Sequence, residues 1–412
     1  MKKISLLICL FQLHVGYTQT WPSETWQAAT NLTNVMDVSG VTDLSGLHWN
    51  PTNNRLYGIQ NKGKFRVLEL NTANNTFNQI ANKSISGGPE GITQANLYAN
   101  EFYTIDEDNY EIRRYTYTSN FSSITLHKHW NILLSPSTMT DTGNTGPEGI
   151  VFIPDNILTA AGFISQQTGK AYTSVKGLGG LIFVAHQDKG YLWVFDINPN
   201  SNDDFAFVGK YKTSRTESCD LSLDRSTGLL YILHNISGKN KLEVTDLSTV
   251  LINGSEREFV VKSEYTIPIT GDSNDNIEGF AITSKCPESG TTSAWLCRDV
   301  STSENEAIQQ DALRWFYPFT ADGTCNQLAN SNFESNSITI YPNPSKNRIT
   351  VSSPDKSIQS IQISNSLGQI VQKIRKINNT STVVDVSQLQ AGIYLVEITQ
   401  AGKILRRKLI KD

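Results

Sequence analysis

Between residues 40 and 320 the chain alternates short apolar runs with clusters of turn-forming residues. Leu44-Ser45-Gly46-Leu47 is followed by Asn50-Pro51-Thr52-Asn53-Asn54 and then by Leu56-Tyr57-Gly58-Ile59-Gln60-Asn61. Two apolar runs joined by such a turn predict a β-hairpin. The same arrangement recurs 174 residues later, where Asp224-Arg225-Ser226-Thr227-Gly228 precedes Leu230-Tyr231-Ile232-Leu233-His234-Asn235. Three further units begin at Pro89-Glu90-Gly91-Ile92, Pro147-Glu148-Gly149-Ile150 and Ile277-Glu278-Gly279-Phe280. Their second runs are Phe102 to Glu107, Ile182 to Gln187 and Ala294 to Asp299, and the third unit carries an insertion near residues 156–178. Each unit has a third run: Phe65 to Leu70, Glu111 to Tyr117, Tyr191 to Ile197, Leu242 to Leu247 and Leu313 to Phe319. Helical periodicity is scarce, with at most a short turn at Ile308 to Arg314. An all-β chain with five such units predicts a five-bladed β-propeller, with six blades as the alternative. Trp26 to Val38, ahead of the first unit, is placed to close the last blade.

From Ser335 the pattern changes to short alternating strands: Ser357 to Ser364, Ile370 to Ile374, Thr382 to Val386 and Ile393 to Ile398. These predict a small Ig-like β-sandwich. The expected organisation is a signal peptide at 1–18, a propeller at 19–325, an Asn/Ser-rich linker at 326–336 and a second domain at 337–412. Lys2 and Lys3, the apolar stretch Ile4 to Leu13 and Gly16-Tyr17-Thr18 support the signal peptide, with export as its consequence. No other stretch approaches the ~20 apolar residues that a membrane helix needs.

Charge is distributed unevenly. Residues 335–412 carry eleven Lys/Arg against four Asp/Glu, whereas residues 19–334 carry twenty-two against thirty-five. So acidic a propeller argues against nucleic acid as a partner and for cations or basic partners. A monomer is expected. Cys219, Cys286, Cys297 and Cys325 remain after export, and at least one bridge is expected among the last three. Their spacing does not fit a zinc site. There is no GxSxG elbow, Walker loop or HExxH sequence.

The candidate chemistry lies in two columns. Glu90, Glu148 and Glu278 hold one place at the start of the inner strands, while Ser45 and Cys219 stand there in the other two units. Carboxylates that converge in a channel repel, and protonation or a cation must relieve them. Either they hold a cation such as Ca²⁺, with Asp43 and Glu217 as weaker contributors, or they act as hydrogen-bond staples between blades. The glycine after each Glu permits a bulge or a close backbone approach. The second column, Gln60, Asp106, His186, His234 and Arg298, ends the second strands, and Asn61, Glu107, Gln187, Asn235 and Asp299 follow it. His186 and His234 are candidate acid/base groups or structural histidines. Arg298 is a candidate anion clamp or the partner of a channel carboxylate. Tyr57, Tyr103, Phe183, Tyr231 and Trp295 share one register and are expected to be core.

Two resemblances add to this reading. Ile340-Tyr341-Pro342-Asn343-Pro344, Asn365-Ser366-Leu367-Gly368, Asp385-Val386-Ser387, Gly392-Ile393-Tyr394-Leu395-Val396 and Arg407-Lys408-Leu409-Ile410 resemble the type A C-terminal sorting domain of the type IX secretion system. That resemblance implies a Bacteroidetes-type bacterium, passage across the outer membrane, contact with the secretion machinery, removal of the tail, and surface attachment or release. Residues 40–320 resemble the SdiA-regulated family and, more loosely, phytase-like propellers. The residues that carry it are Leu44-Ser45-Gly46-Leu47, Leu56-Tyr57-Gly58-Ile59-Gln60-Asn61, Pro89-Glu90-Gly91-Ile92, Tyr103-Thr104-Ile105-Asp106, Ser222-Leu223-Asp224, Leu230-Tyr231-Ile232-Leu233-His234 and Ile277-Glu278-Gly279-Phe280-Ala281. It implies a five-bladed propeller with bound calcium. The chain therefore reads as an exported calcium-binding propeller, a cell-surface or secreted binding module. The alternative is a calcium-dependent phosphoester or ester hydrolase with its site in the channel, and whether the chain is an enzyme stays open.

Overall fold

The computed structural model describes residues 19–412, apart from 237–239, 269, 272–274, 287–291, 326–338, 354–356, 366–368 and 401–402. The expected signal peptide and linker fall outside the described residues. The chain divides into two compact units at residues 328/329.

The first unit is a five-bladed propeller among the described residues. Blade 1 comprises Leu44–Asn50, Arg55–Gln60, Lys64–Asn71 and Thr76–Ser84, paired antiparallel in chain order. Blade 2 follows with Pro89–Thr93, Glu101–Asp106, Glu111–Tyr117 and Ile124–Asn131. Blade 3 has Pro147–Pro154, Gly180–His186, Tyr191–Ile197 and Phe205–Lys212, and blade 4 has Asp220–Asp224, Leu229–His234, Lys241–Asn253 and Glu256–Thr266. The outer strands of blades 3 and 4 also touch in parallel, Tyr211 opposite Arg257. Blade 5 is built from Ile277–Ile282, Ala294–Arg298 and Leu313–Phe316, with Thr30–Asn31 from before blade 1 as its outer strand. Thr30 pairs with Trp315, so the segment expected to close the ring does so.

The five inner strands pack against one another in a closed ring. Apolar residues fill the five seams between neighbouring blades, one core to each seam. Tyr57, Tyr103, Phe183, Tyr231 and Trp295 lie in these seams, each almost fully buried. The fourth strands left no clear mark in the sequence, because their mixed, half-exposed residues do not alternate cleanly. The insertion in blade 3 opens with a helix, Asp155–Ala161, stopped by Gly162 in the left-handed conformation. Asp196 pins the rest of the insertion, accepting hydrogen bonds from Tyr172, Ser174 and the Val175 amide. A second short helix, Glu306–Gln309, lies close to the turn expected near Ile308. Cys286 and Cys325 form a disulfide, while Cys219 and Cys297 are free and buried.

The second unit is a two-sheet sandwich. Thr339–Tyr341, Arg348–Ser352 and Ser381–Asp385 form one sheet, and Ile370–Asn379, Ile358–Asn365, Gly392–Gln400 and Lys403–Lys411 form the other. Ile349, Val351, Ile361, Ile363, Val384, Val396, Ile398 and Leu409 fill the space between them.

Candidate functional site

Each inner strand begins at the same end of the channel, and the Glu-Gly pairs lie there. In blades 1, 2, 3 and 5 the inner hairpin slips register at this place, between Leu44 and Leu47, Pro89 and Gly91, Pro147 and Ile150, and Ile277 and Gly279. The Glu-Gly pair is thus a β-bulge, which turns the Glu side chain out of the ladder. The glycine is needed for a second reason. A Cβ on Gly91 would stand 2.6 Å from the Ile150 nitrogen, and one on Gly149 would stand 2.6 Å from the Asp220 Cα. Gly46 faces the backbone of Gly91 in the same way, and Gly279 faces the Ser45 carbonyl. Four glycines therefore let neighbouring inner strands converge.

Blade 4 breaks the pattern with Asp220, which occupies the glycine position and is fully buried. Its Oδ2 accepts from the Phe280 amide of blade 5 at 2.8 Å and from the Leu47 amide of blade 1 at 3.3 Å. Its Oδ1 accepts from its own neighbour, the Leu221 amide, at 2.8 Å. One carboxylate thus bridges three blades across the ring of inner strands. Burial pushes its pKa well above the usual carboxylate range, against the pull of the three amides. Sequence reasoning expected staples at the glutamates and missed this one. The signal was present in Ser218-Cys219-Asp220-Leu221, the one copy of the motif with an acidic residue where the others have glycine.

Above Asp220 lies the acidic mouth. Glu90 is 4% and Glu148 6% exposed, and Glu278 is partly buried. Burial raises the Glu90 pKa to about 8, with Glu107, Asp299 and Asp108 adding to the rise. The Ser45 hydroxyl lies close enough to oppose that shift, although neither Glu90 Oε1 nor Ser45 Oγ has a hydrogen-bond partner of good geometry. Glu148 is pushed well above the ordinary range, by burial first and then by Glu90, Glu278, Glu107 and Glu217. Glu278 is raised likewise, by burial and then by Asp299 and Glu90, although Asn276 donates to its Oε1 at 2.8 Å. Glutamates from three blades thus sense one another at one end of the channel.

Of the weaker candidates, Asp43 is tied to Lys62 in an ion pair of 2.9 Å. Glu217 has its pKa raised by burial. The charges of Glu107, Asp108 and Asp299, which the sequence reading did not count as ligands, also bear on the glutamates. Glu107 and Asp299 stand one register beyond the column singled out for chemistry, and Asp108 follows Glu107.

That column has a different role. Gln60 accepts from Arg66, Asp106 pairs with Arg113, and His234 bonds Glu243, each within its own blade. His234 is held at both ring nitrogens, by the Glu217 carbonyl at 2.9 Å and by Glu243 Oε2 at 3.0 Å. His186 accepts from the Asp188 amide at 3.1 Å and packs between Tyr110 and Trp193. Burial lowers its pKa to about 4. Arg298 donates to the Asp311 carbonyl at 2.9 Å and lies over the Trp26 ring. The side chains of His186, His234 and Arg298 thus bond and pack onto strands and loops of the propeller. Successive residues on a strand face opposite ways, so the next register meets the channel end instead.

Among the described residues no three His, Cys, Asp or Glu side chains are gathered closely enough to hold a metal ion. The donor set, carboxylate and amide oxygens with one orphaned buried oxygen on Glu90, is nevertheless of the hard-cation type.

Residues 339–412 match the family model described as the secretion system C-terminal sorting domain, and residues 23–159 match the SdiA-regulated family. The chain thus carries a segment similar to the SdiA-regulated family ahead of a segment similar to secretion sorting domains. The SdiA-regulated match runs through blades 1 and 2 and the inner strand of blade 3. The sorting domain marks the chain for type IX secretion, to the cell surface or beyond it, and so for contact with the secretion machinery. No helix among the described residues is long and apolar enough to cross a membrane. No curated protein matches the chain. Among solved structures, one titled "Crystal structure of Nidogen/Laminin Complex" is similar over 66% of this chain and 84% of that chain, at 12% identity and a TM-score of 0.33.

Proposed function

We propose that this exported propeller is a surface or secreted binding protein whose acidic mouth takes a divalent cation, Ca²⁺. One observation carries the reading. Glu90, Glu148 and Glu278 come from three blades and are buried or half-buried; Glu90 and Glu278 raise the Glu148 pKa, Glu90 raises that of Glu278, and Glu90 Oε1 lacks a hydrogen-bond partner. Like charges held this way need a proton or a cation. Ca²⁺ tolerates irregular oxygen shells, and binding it here would require the three glutamates, with Asp299 and water, to draw closer than they stand in this structure. Such an ion would neutralise the mouth above the Asp220 bridge. Binding is better supported than hydrolysis, because His186 and His234 already hold structural hydrogen bonds.

Elemental analysis of the purified full chain tests this. The wild type should carry a stoichiometric divalent ion that Glu148→Gln loses, and chelation should lower the melting temperature of the wild type only. No bound ion, together with an unchanged melting temperature on chelation, would sink the reading.

A further inference from the structure

The end of the channel opposite the glutamates has the opposite character. Arg225 follows the inner strand Asp220–Asp224 of blade 4, so it lies roughly 15 Å along the strand from the Asp220 bridge. Its guanidinium crosses to blade 2, where Nη2 donates to the Gln94 carbonyl and Nη1 to the Ala95 carbonyl at 3.3 Å. Phe152 of blade 3 lies beneath it, 5.5 Å from the guanidinium carbon to the ring centre. A guanidinium carries five N–H donors. Two are used here, and among the described residues no carboxylate stands within ion-pair distance. The neighbouring carboxylate, Asp224, is already engaged by Ser226, Thr227 and the Lys285 amide.

Asn50 of blade 1 donates to the side chain of the same Gln94 at 2.8 Å, and His48, two residues earlier on that strand, approaches the same place. It lies two residues beyond Gly46 on the inner strand, and its Nε2 is buried without a hydrogen-bond partner. Burial first, and then the Arg225 charge, lower its pKa to about 3, against an opposing effect of the Gln94 side chain. A partly buried cation held by neutral carbonyls and an aromatic face, beside an unsatisfied ring nitrogen, is costly unless an anion completes it.

We propose that Arg225 and His48 form a binding site for a small oxyanion, a carboxylate or phosphate group, at the end of the channel opposite the acidic mouth. Arg225 supplies fixed donors on a rigid support, and the planar fork suits two oxygens of one group. His48 supplies a further polar contact from a third direction. The site is independent of the cation reading, since it shares no residue with the mouth.

The test uses the full chain, with its histidine ring protons followed by NMR and the His48 resonance assigned from its loss in His48→Gln. Inorganic phosphate and acetate are titrated separately, with chloride at equal ionic strength as the reference. The His48 resonance should move saturably with at least one oxyanion. Arg225→Gln should weaken that response by at least about tenfold, and Arg225→Lys should weaken it less. Response to phosphate alone or to acetate alone would support the site and name its ligand class. A His48 resonance that moves no further than in chloride would overturn the proposal on the wild type alone. So would an unchanged titration in a folded Arg225→Gln protein, because a guanidinium that only latches blade 4 to blade 2 gives that result.

Discussion

Replacing Asp220 by alanine removes one side chain and disconnects three blades. The Phe280 and Leu47 amides lose their acceptor in the middle of the ring, and Leu221 loses a short local bond. A buried donor left without a partner costs about 1–3 kcal/mol. The two bonds at 2.8 Å count in full, and the one at 3.3 Å counts for less. Against this, removing a carboxylate that burial already disfavours returns part of its desolvation penalty. The expected net loss is about 3–5 kcal/mol for Asp220→Ala. Asp220→Asn keeps the shape but turns an amide NH₂ towards backbone N–H groups, so about 2 kcal/mol is expected. Urea unfolding followed by tryptophan fluorescence reads this directly. All seven tryptophans lie between residues 21 and 315, so the C-terminal sandwich is silent. The midpoint should fall with the slope unchanged. A loss below about 1 kcal/mol for Asp220→Ala would refute the bridge, and would mean that water satisfies the same amides equally well.

Gly149→Ala should destabilise the propeller by about 3 kcal/mol or more, since its Cβ would meet backbone of blade 4 at 2.6 Å and no side chain can yield; the same urea titration checks it. Replacing Cys286 and Cys325 together by serine opens a loop of 39 residues and should lose up to about 4 kcal/mol, read as a lowered midpoint that matches the effect of reductant on the wild type. In cation-free buffer the Glu90 carboxyl binds its proton more tightly when folded, at about 8 against an ordinary 4.5. Its contribution therefore favours the folded state below pH 4.5 and is lost as pH rises towards 8, and Glu90→Gln should flatten that part of the stability profile.

The hairpins, their order and the closing strand at Thr30–Asn31 were legible because each is a local pattern: apolar runs, turn residues and a fixed spacing. The acidic column was legible for the same reason, since Glu90, Glu148 and Glu278 repeat one motif. The helix Asp155–Ala161 carries its local signals, an acidic first turn and a closing glycine, inside an insertion that the repeat does not specify. What each column would touch was less legible. His186, His234 and Arg298 share a register with Gln60 and Asp106, and a shared register at the strand ends is as much as a local pattern can give. It did not say which face of the blade those residues were on.

The sequence by itself determined the first three strands of each blade, their pairing in chain order, and the three-of-five occurrence of the Glu-Gly pair. Only the closed ring decided which of two neighbouring registers meets the channel. A bulge adds one residue to one strand, so counting in twos from the hairpin no longer tells inside from outside. Closure also decided the fate of the glycine column. Four glycines let the inner strands approach, and the one aspartate among them reaches amides of two other blades. Those amides lie 60 and 173 residues away in the chain. No local pattern encodes that distance, and only the packing of all five blades brings the three groups together.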